Sequence, residues 1–476
     1  MASVDLQDAR LNDRITPILS DRGARPTASI PAACGGPAEM TAAYRLFDND
    51  KVAYANIRQP QAAKTGERGR AQPVVLRVQD TSALALTRPQ QQVVGAGPWA
   101  AAARQGLFLH RVEAFTPDGT PRGQVGSHTG ARDEASLSTA PPDQRKQRQA
   151  VPIEDKESFR WLQGLRKTRE WAEPCPGVTC VGVADSAADS YELFAEPRGA
   201  TNPVPFLIRL CQHRALAADA DADMEPARLI RERVAAAPVR FTKEIKVRGR
   251  EPKVACADRG RRQPRQDRPA VGEARATTLT LRPPARPEQR LPEVTVHGVL
   301  VREVNPPADD VAVEWLLVTT LPIATIEQVR RIIQYYGVRW MIEILFRVLQ
   351  SGGRVEERRC ERVERLERCL AVYVIVAWRT LYVGRLGRSC PDLDCEAVFE
   401  PSEGKSVWMA SHRTSPPKKP LRRADMVRLI APLGGYVNRP NREDPPGAQT
   451  VWLGLQRLQD LAWGWDTFGP GAKKVV

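Results

Sequence analysis

Two short β-branched runs each lead into an aspartate: Val74-Val-Leu-Arg-Val-Gln-Asp80 and Val178-Thr-Cys-Val-Gly-Val-Ala-Asp185. Near-continuous apolar runs of this length read as strands buried on both faces, so the chain must cover a sheet from two sides. Between them, Leu107 to Phe115 and Arg122 to Ser127 flank the turn sequence Pro117-Asp118-Gly119-Thr120 and predict a hairpin. Glu157 to Trp171 has helical spacing through Phe159, Leu162 and Leu165. The predicted order is therefore strand with acid, hairpin, helix, strand with acid. A carboxylate delivered by a buried strand costs free energy unless a cation or hydrogen bonds compensate it.

A third acid sits further on. Thr325 and Gln328 form a capping box that starts a helix with an apolar stripe through Ile326, Val329, Ile332 and Ile333. Continued as one helix, Tyr336, Glu343 and Gln350 lie in line at a spacing of seven, with Arg339 adjacent. Glu343 stands among Trp340, Ile342, Ile344 and Leu345. Taken singly, each acid is an ordinary strand-end or helix-surface carboxylate. Their coincidence on three elements points to a metal-dependent phosphodiester enzyme. Magnesium takes hard oxygen ligands and keeps waters, so Asp80, Asp185 and Glu343 with a substrate phosphate meet its needs. Two such ions can serve the attacking and leaving oxygens of an in-line displacement.

Charge supports a polyanionic partner. The 476 residues carry 71 Lys and Arg against 56 Asp and Glu, a net charge of +15. Such an excess favours nucleic acid, through release of counterions from its phosphates. A membrane surface is the competing reading. The sequence shows neither an uninterrupted run of about 18 apolar residues nor a basic, apolar N-terminal leader, so the expectation is a soluble, cytoplasmic chain. Nine cysteines are scattered without a CxxC pair, which speaks against a zinc site. Forty prolines speak against an all-helical bundle.

The rest of the chain divides into three parts. Residues 1 to about 70 read as a small helical domain, opened at Asp8 and interrupted by Pro26, Pro31, Gly35, Gly36 and Pro37. It either contacts DNA or simply packs on the neighbouring domain. Residues 71–380 form the α/β core, with a β-rich insertion at about 200–310 containing strands at Thr277 to Leu281 and Val294 to Val304. Within it, Ala218 to Asp223 is acidic, and Lys243 to Arg268 is a basic run that reads as a solvated loop or an electrostatic strip along DNA. Val313 to Thr319 is a further strand carrying Trp315. From about 385 a linker leads to amphipathic helices at Ala424 to Leu433 and Thr450 to Trp465, suited to packing or to a partner subunit.

The strand, hairpin, helix, strand order resembles the opening of a ribonuclease-H-like fold. The pattern Tyr336, Arg339, Glu343 and Gln350, where the last position is normally Lys, resembles the signature of the IS4-type DDE transposases. Asp80-Thr-Ser and Asp185-Ser-Ala-Ala-Asp189 look like the contexts of the first two acids of that family's triad. The resemblance extends to Asn305-Pro-Pro, Glu314-Trp315-Leu-Leu-Val-Thr-Thr and the N-terminal Ser29-Ile-Pro-Ala-Ala-Cys34-Gly-Gly. It implies an N-terminal domain that reads transposon ends, a ribonuclease-H-like core with a β insertion, and a helical C-terminal dimerisation region. It also implies two Mg²⁺ or Mn²⁺ ions held by Asp80, Asp185 and Glu343, cutting double-stranded DNA, forming a hairpin end and joining it to target DNA within a homodimeric synaptic complex. Trp315 would stack on an extruded base, with its core-strand role the alternative, and Tyr336, Arg339 and Gln350 would contact DNA. The expected location is bacterial cytoplasm, at the nucleoid when DNA is bound, with no membrane partner. Gln350 in place of Lys, and Ser186-Ala187 in place of the family's Arg-Glu, leave open a second reading: a weakened or inactive relative acting as a DNA-binding inhibitor.

Overall fold

The computed structural model describes residues 4–87, 92–99, 101–132, 151–199, 201–217, 229–249, 265–286, 290–308, 310–437 and 446–470. The acidic Ala218 to Asp223 patch and residues 250–264 of the basic run lie outside them. The protein is a mixed α/β chain that divides into two compact units. The first comprises Met1–Val75, Asp80–Thr139 and Trp340–Val476, the second Leu76–Gln79 and Ala140–Arg339.

The first unit begins with the expected helical head: Ala9–Ala24, Ile30–Ala33, Pro37–Phe47 and Tyr54–Arg70. Asp8 caps the first helix by accepting from the Arg10 backbone N–H at 2.8 Å. Its sheet portion contains β1 (Val74–Ala85), β2 (Gly97–Trp99), β3 (Ala101–Phe115) and β4 (Pro121–Gly130), in the order β2-β3-β1 with β4 on the outer side of β3. The β3–β4 hairpin turns where Pro117 to Thr120 predicts it, with Gly119 at φ +85°. Asp80 does not terminate a strand: β1 continues five residues past it to Ala85, so the acid is buried within the strand.

The sequence reading underestimates one helix. Val363–Ser389 runs for 27 residues and, with a mean hydropathy of 1.4 in its most apolar 18-residue window, is long and apolar enough to cross a membrane by length and composition. Scattered arginines hide this from a search for an unbroken apolar run. Here 61% of that window is buried within the fold, as expected of a core helix. Arg368 of this helix donates to the backbone oxygens of Val52 at 2.7 Å and Phe47 at 3.0 Å, and Tyr373 accepts from the buried Arg22 at 3.1 Å. These bonds fasten the helical head and satisfy carbonyls at its helix ends. The supposed linker after residue 385 contains a further helix, Pro401–His412, before Arg423–Leu433 and Ala448–Phe468. Val407, Met426, Ile430, Val451, Leu455 and Leu458 close a small core among these three.

A buried polar cluster lies on the hairpin. Arg111 and Glu113, two apart on β3 and therefore on one face, pair at 2.6 Å with both side chains fully buried. Gln124 accepts from Arg111 at 3.3 Å and also from Arg58 of the Tyr54–Arg70 helix. Burial and the Arg111 charge pull the Arg58 pKa down to about 9.

The second unit carries Leu76–Gln79 of β1 followed in the sheet by β5 (Thr179–Ala184), β6 (Phe206–Arg209), β10 (Glu314–Thr319), β9 (Val294–Val304), β8 (Arg268–Leu281) and β7 (Val239–Val247). β5 and β6 are parallel, and β6-β10-β9-β8-β7 pair antiparallel. The β-rich insertion is thus a meander of long strands. Its basic stretch is corrected at both ends: Lys243 to Val247 belongs to β7 and Arg268 begins β8, because Ile245 and Val247 alternate with Glu244 and Lys246 as in a half-buried strand. The Phe159–Ala172 helix lies where the spacing predicts it.

Candidate active site

The capping box forms as expected, with Thr325 Oγ1 accepting from the Gln328 N–H at 3.2 Å and Gln328 Oε1 accepting from the Thr325 N–H at 3.0 Å. The helix does not continue to Gln350, however. It ends at Val338, turns at Arg339, resumes as Trp340–Arg347 and widens into a π-helical turn at Val348–Gly352. Gly337 and the Gly352-Gly353 pair weaken the helix at both ends of this stretch, and π turns commonly mark functional positions. Arg339 itself keeps helical dihedrals, φ −50° and ψ −34°, so the interruption there is a local change of hydrogen bonding.

The division between units falls within this signature. In the first unit, Asp80 Oδ1 accepts from the Thr81 N–H at 2.7 Å, and Thr81 Oγ1 lies 2.8 Å from Nδ1 of the buried His110 on β3. Gln350 Nε2 donates to Ser82 Oγ and to the Ala83 carbonyl, both at 3.0 Å. Glu356 accepts from the Ala85 N–H at 2.9 Å. The segment after Glu343 is thereby bonded along the strand that carries Asp80. Glu343 itself is half-buried, among the buried Met341, Ile342, Leu345 and Phe346. Gln350, expected at DNA, spends its amide N–H groups on the protein's own strand.

In the second unit, Asp185 follows β5 and caps a 3₁₀ turn, accepting from the Ala187 N–H at 2.9 Å. Trp315 on β10 is half-buried and meets Tyr336 edge to face, with ring centroids 5.2 Å apart at 70°. The Arg339 guanidinium lies 5.8 Å from the Tyr336 ring. Burial raises the Tyr336 pKa; the Arg339 and Arg209 charges oppose the rise and the Asp185 charge adds to it. Asp185, Trp315, Tyr336 and Arg339 are thus neighbours in one unit, joined by Arg209 at the end of β6. Arg209 is hard to single out from the sequence because a four-residue strand gives little periodicity; its Phe-Leu-Ile-Arg run is the available signal. Asp189 stood out in the sequence only as part of a motif. It is buried, accepting the N–H groups of Cys211 at 2.9 Å and Gln212 at 2.8 Å and pairing with Arg214, Nε to Oδ1 at 2.7 Å.

Among the described residues of either unit, no three His, Cys, Asp or Glu side chains gather into a group that could hold a metal unaided. The donor set still suits a hard cation. Asp80 and Glu343 lie in the first unit and Asp185 in the second, and magnesium sites with one or two carboxylates are completed by water and substrate phosphate.

Comparison with known proteins bears on both ends of the chain. The transposase DNA-binding family matches residues 1–52, and the Tn5 transposase dimerisation domain family matches residues 375–465. By these matches both ends of the chain are similar to those of transposases. More narrowly, they support the resemblance to the Tn5-like, IS4-type transposases read from the Tyr336, Arg339 and Glu343 pattern. A solved piggyBac transposase synaptic complex with hairpin DNA aligns over 98% of this chain and 74% of its own, at 8% identity and a TM-score of 0.34, a likeness that carries no argument by itself.

Proposed function

We propose that the protein is a DNA transposase of the cut-and-paste kind, with a ribonuclease-H-like core that cleaves transposon ends, forms hairpin ends and transfers them to target DNA as a homodimer. The observation that carries this reading beyond the two terminal matches is the bonding of Gln350 to Ser82 and Ala83. It fastens the stretch after Glu343 to the strand of Asp80, a linkage that an incidental pair of surface acids would not require. Asp80, Asp185 and Glu343 would hold Mg²⁺ or Mn²⁺, which when bound supplies Lewis-acid activation of a phosphodiester. His110 and Thr81 steady the backbone beside Asp80. Arg339 and Arg209 supply positive charge beside Asp185, suited to a DNA phosphate, with Arg339 able to donate in a fork. Trp315, seated against Tyr336, offers an aromatic surface to an unstacked base.

The test is strand cleavage of a duplex bearing the inverted repeats that flank the gene, with Mn²⁺ present. Metal-dependent nicking followed by a hairpin product, lost in Asp80→Asn and Glu343→Gln, is expected. Specific binding of the repeats without cutting would instead support the inhibitor reading, which the neutral amide of Gln350 in the family's Lys position favours.

A further inference from the structure

The second unit contains a cavity of ≈ 700 Å³ lined by none of Asp185, Trp315, Tyr336 and Arg339. Its wall is cationic: Arg214, Arg282, Arg286 and Arg290, with Gln212 and His213. Two strand ends and a returning segment build it. Leu216 bridges to Leu281, the Arg282 N–H donates to the Ala215 carbonyl at 3.0 Å, and Tyr191 Oη donates to the carbonyls of Leu281 at 3.0 Å and Pro292 at 2.8 Å. Pro283 and Pro284 restrict the backbone that presents Arg282 and Arg286.

Among the described residues that line the cavity, four are arginines and none is acidic. Asp189 holds Arg214 through Nε at 2.7 Å, and Glu192 holds Arg286 through Nη2 at 2.7 Å, each acid offsetting one guanidinium. Both acids lie within seven residues after Asp185, Asp189 at the end of its 3₁₀ turn and Glu192 in the short helix Tyr191–Ala195 that follows. Arg282 and Arg290 are exposed, and among the described residues no side-chain hydrogen bond or ion pair engages either. Two positioned and two unengaged guanidiniums around one hollow make a poor place for an apolar or cationic ligand and a good one for phosphates, which guanidinium binds through its planar fork.

We propose that this cavity seats the phosphodiester backbone of a nucleic-acid strand, with Arg282 and Arg290 as anion ligands and with Arg214 and Arg286 held in place by Asp189 and Glu192. The identity of the polyanion rests on the transposase reading; the anion site rests on the cavity alone. Counterion release makes the contribution measurable, since each phosphate contact adds about 0.9 to the slope of log K against log salt on duplex DNA. Fluorescence anisotropy of the full chain on a labelled duplex, in EDTA, should show the slope falling by about 1.8 in R282Q/R290Q and returning in R282K/R290K. Both positions are exposed, and circular dichroism of the variants checks that they fold. Calorimetry with tripolyphosphate provides a second probe, expected to bind wild type and not R282Q/R290Q. An unchanged slope together with unchanged tripolyphosphate binding overturns the proposal, as does a wild-type chain that binds neither probe. Tripolyphosphate binding lost in the variant, with no DNA bound by wild type, leaves the anion site standing and removes the transposase reading instead.

Discussion

Replacing Gln350 by Ala removes two hydrogen bonds, to Ser82 Oγ and to the Ala83 carbonyl, each 3.0 Å long. A neutral hydrogen bond contributes about 1 kcal/mol net. Gln350 is half-buried, so water can replace part of the loss, and the expected cost is about 1–2 kcal/mol. For a cooperative unit of this size that corresponds to a melting shift of roughly 2–4 °C per kcal/mol. The larger effect should fall on catalysis. If these bonds set where Glu343 stands relative to the Asp80 strand, their loss lets a ligand drift by a fraction of an ångström to an ångström, and misplacement on that scale costs up to about 10²-fold in rate. Gln350→Lys tests the same contacts from the other side, because an ammonium can still donate to both oxygens while adding the cation typical of the family. The expected pattern is a lower melting temperature and slower Mn²⁺-dependent nicking for Gln350→Ala, with Gln350→Lys close to wild type in stability and no slower in nicking. A Gln350→Ala protein that melts lower yet nicks at the wild-type rate would refute the positioning role. Unchanged melting as well would mean that the two bonds contribute nothing in solution.

Asp80→Asn and Glu343→Gln should bind the terminal repeats as wild type does while nicking falls by about 10³-fold, the equivalent of several kcal/mol of lost metal-assisted stabilisation; single-turnover cleavage beside a gel-shift assay decides it. Glu113→Gln leaves Arg111 and Arg58 buried without their carboxylate and should destabilise the first unit by about 3–5 kcal/mol, read by urea denaturation. Glu303 is held below its ordinary pKa of 4.5, chiefly by its hydrogen bond from Arg268. Since the folded pKa is depressed, this contribution is complete above about pH 4.5 and is lost as pH falls through the lower folded value. Arg268→Gln should therefore narrow the stability gap between neutral and acid pH, and parallel urea-midpoint curves for the two proteins from pH 3 to 6 would count against the pairing.

How much of the structure is legible in the sequence depends on how local each signal is. Alternation, turn chemistry and caps act over a few residues, so β5, the β3–β4 hairpin, the Thr325 capping box and the Phe159–Ala172 helix stand where Val178 to Asp185, Pro117 to Thr120, Thr325 with Gln328, and Phe159, Leu162 and Leu165 place them. Errors arose where a remote contact decided the outcome. A spacing of seven could not reveal that the Gln350 amide is taken up by Ser82 and Ala83, residues far away in sequence. The boundary between the two units falls after Arg339, where the helix is interrupted. Tyr336 and Arg339 stay with Trp315, Arg209 and the Asp185 turn in the second unit, while Glu343 and Gln350 belong with the Asp80 strand in the first. Stiffening the turn at Arg339 is then the perturbation to make: Gly337→Ala, with nothing within 4 Å of the added Cβ, strengthens the helix by about 0.5–1 kcal/mol without a clash. If the turn must adjust for DNA to be cut, Gly337→Ala should raise the melting temperature and slow nicking together; a more stable protein that nicks as fast as wild type would show that the break at Arg339 is structural only.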